Sequence, residues 1–334
     1  MAASKLKVFY SKKFLEHDTG WGHPECAARL MVILDRLKER KLDFSLEEPR
    51  SAIRKDLELI HDPLYLGELS NPSRIKTYFP DNPIDENTFE IALLAAGAAY
   101  DAAKSALKDK FAFALIRPPG HHASWDSFGG FCYLNNLAFA VAKLLQEGAA
   151  GRVLIVDFDV HHGNGTQDIF YNNDNVFYLS FHQKAGSIYP YRGFESENNA
   201  YTRNVEFDLF INDEAYLKLF EFQFKKAVLE FQPGLVAVSA GFDLLAEDIV
   251  CGTVTNIRNP ETFYKIGLII KKNAKCPVFG VLEGGYFLEK LGDSVCEFLR
   301  AFEVKKKRKK AKRGKAKELP KRSGKKGRKK RGKK

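Results

Sequence analysis

The chain has 334 residues, 45% hydrophobic and 13% aromatic, enough for a large core in one or two domains. No run of about 18 apolar residues occurs, which excludes a membrane-spanning helix, and the opening MAASKLKVFYSKKF lacks the apolar stretch of a secretory signal. The net charge of +11 is unevenly placed: residues 305–334 hold 20 of the 53 Lys and Arg and one acid, Glu318 (+19), leaving 33 bases against 41 acids (−8) in residues 1–304.

The first strand is expected at LKVFYS (6–11). Pro24 then opens a helix through ECAARLMVILDRLKER, with Ala28, Met31, Leu34 and Leu37 on one face. A second, alanine-rich helix over Thr88–Leu107 leads to the strand FAFALI (111–116). Helix Asn136–Glu147 precedes the strands VLIV (153–156) and VFYLSF (176–181); helix Glu214–Phe231 precedes LVAVSA (235–240), and VFGVL (278–282) follows. Strands alternating with helices predict an α/β protein with a parallel sheet covered by helices on both faces. No repeat and no linker occurs before about Val304, so residues 1–304 read as one domain. The remaining residues, 305–334, begin KKKRKKAKRGKAK, contain Leu319 as their one aliphatic residue larger than alanine, and have no aromatics. They are expected to be a disordered polybasic tail that contacts nucleic acid nonspecifically through its phosphates. Five scattered cysteines (Cys26, Cys132, Cys251, Cys276, Cys296) form no CxxC pair and read as reduced thiols of an intracellular protein without membrane attachment. A polybasic tail fits both a nucleus and a nucleoid-associated place in a bacterial cytoplasm.

Five of the apolar runs end alike. FAFALI runs into RPPGHH, VLIV into DFDVHHGNG, VFYLSF into His182, LVAVSA into GFD and VFGVL into EGGY. In open α/β sheets ligands bind at the carboxyl ends of the strands, so these ends are expected to build one site. Asp159 and His161 are two apart and on an extended segment share a face; Asp243 offers a third hard ligand, and such a set leaves a catalytic metal an open position. Asp157 has the same parity one step deeper and suits an acceptor orienting an imidazole. His121 and His122, rigidified by Pro118, Pro119 and Gly120, suit a general base and acid. The Tyr286 phenol, after Gly284 and Gly285, can donate to a developing oxyanion. Phe131 and Tyr189 are candidate aromatic walls of a narrow channel. His17, His23 and His61 receive no catalytic role, and His162 is expected to be structural.

Together these motifs resemble the zinc-dependent histone deacetylase and acetylpolyamine amidohydrolase family over nearly all of residues 6–300, through HDTGWGHPE, RPPGHHA, GFCYLNN, DFDVHHGNGTQDIF, LSFHQ, SAGFD and EGGY. Asn164, where one branch has Asp, brings the chain nearer the class II or bacterial deacetylase-like branch. The resemblance implies the single-domain arginase–deacetylase fold, an eight-stranded parallel sheet with helices on both faces. It implies Zn²⁺, with Fe²⁺ as the alternative, on Asp159, His161 and Asp243. His121 would pair with Asp157 and His122 with Asn164, while Tyr286 would polarise the acetamide carbonyl. A structural K⁺ or Na⁺ would lie around Asp157, Asp159, His161, Ser180 and Phe181, and the substrate channel would use Gly130, Phe131, Tyr189 and Gly284. The implied activity is removal of acetyl or other acyl groups from lysines of histones or other DNA-associated proteins.

Two segments, LLAEDIVCG after Asp243 and QKAGSIYPYRGF after His182, depart from the family pattern, which leaves acyl length and peptide sequence open. An acetylpolyamine deacetylase is the alternative, with Glu247 or Asp248 as an acidic rim for a small cation. A non-catalytic protein that binds acyl-lysine and nucleic acid is a second alternative, opposed by the intact candidate residues. No DxHxD run of a binuclear manganese ureohydrolase occurs.

Overall fold

Valine, isoleucine, leucine and phenylalanine fill the strands of one eight-stranded, all-parallel sheet in this computed structural model, which describes residues 5–74, 79–251, 254–303 and 332. The strands are β1 (Leu6–Phe9), β2 (Phe44–Glu47), β3 (Phe111–Ala114), β4 (Val153–Asp157), β5 (Val176–Gln183), β6 (Thr202–Phe207), β7 (Leu235–Ala240) and β8 (Val278–Leu282), in the order β2-β1-β3-β8-β7-β4-β5-β6. Every residue of β3, β4, β5, β7 and β8 is buried, as a parallel sheet covered on both faces requires. The two strands without a continuous apolar run, β2 and β6, are the sheet edges, where half-buried and polar residues are tolerated.

Eight α-helices surround the sheet: α1 (Ala28–Glu39), α2 (Pro63–Leu69), α3 (Thr88–Asp109), α4 (Asn136–Gln146), α5 (Asn164–Phe170), α6 (Asp213–Phe231), α7 (Glu261–Ala274) and α8 (Leu288–Phe302). They pack in two groups, α3 on α4, and α1, α8, α7 and α6 in a row. The four expected helices form, with one shift. Helix α1 starts at Ala28 instead of near Pro24, because the Glu25 carboxylate is drawn to two buried arginines. Its buried face is Leu30, Ile33, Leu34 and Leu37; Met31, expected inside, is 52% exposed. Among the described residues, no helix is long and apolar enough to cross a membrane. The tail expected at 305–334 lies outside the described residues except for Gly332.

The strand order explains why the polar motifs converge. The five runs ending in Gly, His, Asp or Tyr are β3, β8, β7, β4 and β5, neighbours in the middle of the sheet. Asp157 closes β4 in register with Ser180 of β5 and Ser239 of β7.

Gly97 in α3 tests how tightly this frame is packed. A Cβ there would lie 1.9 Å from the carbonyl oxygen of Arg50. Alanine favours a helix interior by up to about 1 kcal/mol over glycine, but overpacking costs about 1–3 kcal/mol. Gly97→Ala is therefore expected to lower the thermal unfolding midpoint; a midpoint that rises would show that the 50–52 segment moves aside freely.

Candidate active site

Asp159, His161 and Asp243 meet where β4 and β7 end. Their donor atoms lie within 4.8 Å of one another and all three residues are buried. His161 Nδ1 is 3.0 Å from Asp159 Oδ1 and 3.1 Å from Asp243 Oδ2. The remaining carboxylate oxygens are held by backbone: the Gly284 N–H donates to Asp159 Oδ2 at 2.8 Å and the Val160 N–H to Asp243 Oδ1 at 2.9 Å. A Cβ at Gly284 or Gly241 would meet these carboxylates at 2.5 Å or less, so only glycine lets the backbone approach this closely. Burial and the charge of Asp159 push the Asp243 carboxyl up to about 7. Two desolvated carboxylates around one imidazole nitrogen are a donor set that a divalent cation satisfies.

The tandem histidines lie beside this trio with opposite electrostatics. Burial opposes charge on His121, but Asp157 and Asp159 outweigh it and hold the imidazole at about 10. Its Nδ1–H donates to Asp157 Oδ2 at 3.0 Å, where the Tyr178 hydroxyl donates as well. Burial raises the Asp157 carboxyl while His121 pulls it down; the aligned donors support the ion pair. His122, by contrast, is held well below the usual imidazole range by burial and by the neighbouring His121 and His161. Its Nδ1 pairs with Asn164 Oδ1 at 2.8 Å, a tautomer assigned from the partner that leaves Nε2 without a proton. Two neighbouring titratable groups pushed apart are the mark of an acid and a base.

A cavity of about 430 Å³ is lined by His121, His122, His161 and Tyr286, all buried, and by Gly130, Phe131 and Tyr189. The Phe131 ring meets Tyr286 edge-on at 5.5 Å, and Tyr189 meets His122 at 4.8 Å. Burial raises the Tyr286 phenol well above its ordinary value, so it remains a donor. Gly284, expected in the channel, is not among the residues lining the cavity and instead places its N–H on Asp159. In the expected monovalent-cation set, Asp157 Oδ1 accepts the Asp159 N–H, Ser180 Oγ lies 2.8 Å from His182 Nδ1, and the Phe181 ring packs on Phe220.

Several residues at the site escaped the sequence reading. Arg29 donates to the carbonyls of Gly285 and Glu283 and lies 4.7 Å over the Tyr286 ring. Glu25 bridges Arg29 to Arg117, which also donates to the carbonyls of Phe14 and His17. Glu283 is pushed up to about 7 by burial and accepts the Gly120 and His121 N–H groups on Oε2. With His121 and Cys132 it forms a second trio of buried donors, in which His121 is already committed to Asp157. Asp81 and Val250 line the exposed part of the cavity. The two acids proposed as a rim are engaged elsewhere. Asp248 is buried and accepts backbone N–H groups, and Glu247 pairs with Lys290 and Arg258.

This sheet, with its polar strand ends, is shared by known proteins. The histone deacetylase domain model matches residues 23–302, and the chain belongs to that family. It is accordingly a hydrolase of the deacetylase class, acting on acetylated substrates. A probable deacetylase of Archaeoglobus fulgidus is 36% identical over 295 residues, 84% of this chain and 81% of that protein. The polyamine deacetylase HDAC10 of Homo sapiens is 33% identical over 302 residues, 83% of this chain and 44% of that protein. Among solved structures, the HDA15 HD domain superposes with a TM-score of 0.80 at 31% identity, covering 88% of this chain and 90% of that one. The acetylpolyamine aminohydrolase of Burkholderia pseudomallei gives 0.79 at 25% identity, covering 89% and 98%.

Asn164 Oδ1 is the partner of His122 Nδ1, while burial, His121 and His161 hold that imidazole low. A carboxylate in place of Asn164 would favour the imidazolium, and a general base works only when neutral. Asn164→Asp is expected to move the acid limb of the kcat/KM–pH profile upward by about one unit. An unmoved limb would show that His122 does not titrate in that limb.

Proposed function

We propose that this protein is a metal-dependent lysine deacetylase acting on proteins, with residues 1–304 as the catalytic body and residues 305–334 as a polybasic tail. The observation that carries this reading is one cavity lined by His161 of the Asp159–His161–Asp243 trio, the oppositely poised histidines and Tyr286. Asp159, His161 and Asp243 would hold the ion, zinc by the nitrogen and oxygen donors, with iron as the alternative. When bound, such an ion supplies Lewis acidity toward the acetyl carbonyl and brings the pKa of water toward about 7.

The chain's own groups do the rest. His122 Nε2, unprotonated and oriented by Asn164, accepts the proton of the attacking water. The Tyr286 hydroxyl donates to the acetyl oxygen as it gains charge. His121, charged and held by Asp157, donates a proton to the leaving lysine nitrogen. The proton taken by His122 then leaves to solvent as His121 is reprotonated, which restores both histidines. Phe131 and Tyr189 flank the lysine methylenes, and the buried lining keeps bulk water from the reacting carbon. K⁺ or Na⁺ bound around Asp157, Asp159, His161, Ser180 and Phe181 would offset charge left beneath the trio. The buried Tyr216 hydroxyl, which has no hydrogen-bond partner among the described residues and feels the fields of Asp157, Asp243 and Asp159, fits that need.

A protein substrate is favoured over a polyamine by the rim. Glu247 and Asp248 are turned to internal partners, so Asp81 is the one carboxylate among the residues lining the outer cavity. That single acid is also what favours the second reading, an acetylpolyamine deacetylase. The tail adds +19 of charge and would tether the enzyme to nucleic acid inside the cell, nucleus or nucleoid, with steep salt dependence.

The test is a metal assay beside turnover of an acetyl-lysine peptide and of acetylspermidine. Wild type is expected to hold one catalytic divalent ion per chain, to lose activity to a chelator and to prefer the peptide. Tyr286→Phe should keep the metal and lose about 10²–10³ in kcat; equal activity refutes the oxyanion role, and a preference for acetylspermidine selects the second reading. A chain ending at residue 304 should keep peptide turnover and lose low-salt DNA binding, and tight binding by that chain would refute the tether.

A further inference from the structure

The loop after β7 carries Asp243 near its start and Asp248 five residues on. Asp248 is 2% exposed, and no Lys, Arg or His among the described residues forms an ion pair with it. Its carboxylate is instead satisfied by backbone. Oδ2 accepts the N–H of Tyr286 at 2.7 Å and of Phe287 at 3.1 Å, and Oδ1 accepts the N–H of Val250 at 3.0 Å. Removing a carboxylate from water is costly unless its acceptors are filled, so its presence here calls for a reason. Tyr286 and Phe287 are the residues that lead into α8, whose N-terminus has no cap from its own cap residue. Asp248 therefore acts as a cap borrowed from the neighbouring strand's loop, at the positive end of a 15-residue helix.

The geometry points to Asp248 as the positioning residue for Tyr286, an inference that rests on the oxyanion role proposed above. Tyr286 is fixed at three points. Asp248 takes its N–H, Arg29 takes the carbonyl of the preceding Gly285, and the Arg29 guanidinium covers its ring at 4.7 Å. A phenol hydroxyl sits at the far end of a rigid ring, so a small rotation of the backbone displaces it by more than the backbone itself moves. The third bond, to Val250, joins the same carboxylate to a residue lining the cavity. The departure from the family pattern at LLAEDIVCG thus retains one acid whose work is directed inward, at the tyrosine.

The experiment uses the full chain, an acetyl-lysine peptide and a metal assay, with Asp248→Ala, Asp248→Asn and Asp248→Glu each made alone and with Tyr286→Phe. Asp248→Ala should lower kcat about 10- to 100-fold, as a displacement of about 1 Å does, with KM and metal content unchanged. Asp248→Asn keeps an oxygen for the Tyr286 and Phe287 N–H groups and should recover most of the rate. Asp248→Glu pushes the carboxylate forward by one methylene and should be impaired, which keeps the test open if the alanine variant does not fold. In the Tyr286→Phe background each change should cost less than about twofold, because the effect runs through the missing hydroxyl. Wild-type kcat in both Asp248→Ala and Asp248→Glu, fully multiplicative losses in the double variants, or lost metal in Asp248→Asn would each overturn the assignment. If Tyr286→Phe alone is fully active, the oxyanion reading fails first, and the two failures are told apart.

Discussion

Four carboxylates, Asp157, Asp159, Asp243 and Glu283, are withdrawn from water at the ends of three adjacent strands. Like charges held this close in a low dielectric destabilise the fold unless each is answered. The answers are local and mostly made of backbone: Gly284 for Asp159, Val160 for Asp243, and Gly120 with His121 for Glu283. Asp157 is answered by His121 and Tyr178. This requirement accounts for the glycines at the strand ends, for the charged state of His121 and for a donor set that suits a cation. His122 escapes it. Burial, with His121 and His161 on either side, holds this imidazole low, and its partner is a neutral amide, so it stays uncharged beside the acidic cluster.

A second buried charge system supports the first from below. Glu25 lies between Arg29 and Arg117, all three fully buried, and breaking such a set by removing one member costs about 3–5 kcal/mol. Through Arg29 it reaches the carbonyls of Glu283 and Gly285 and the face of Tyr286. The first turn of α1, held by Glu25 from the loop before it, thereby fixes the segment that carries the tyrosine.

The central strands and the site were legible in the sequence for the same reason. A strand buried on both faces is a continuous apolar run, and polar residues just beyond it stand out. The edges β2 and β6 were not legible, because FSLE and TRNVEF mix polar and apolar residues as an exposed edge allows. The face of α1 held at Leu34 and Leu37 but not at Met31, because Arg29 occupies an inward site in the first turn that an apolar pattern would assign elsewhere. Asp159, His161 and Asp243 could be grouped from spacing and strand ends. Glu25, Asp248 and Glu283 could not, since their partners are backbone groups or distant arginines, and neither leaves a local pattern. The same blindness made Asp248 look like a rim acid.

The strand order carries a consequence for how the enzyme comes into being. The last strand in the chain, β8, lies between β3 and β7 in the middle of the sheet. In the finished sheet β8 separates β2-β1-β3, beyond which lie His121 and His122, from β7-β4-β5-β6, whose ends carry Asp157, Asp159, His161 and Asp243. Bare edges invite wrong pairings, and parallel pairing across such sequence distances is slow. The same separation keeps a chain without β8 from bringing His121 and His122 beside the acidic trio. Synthesis of the final strand is thus also the event that permits an active centre to exist.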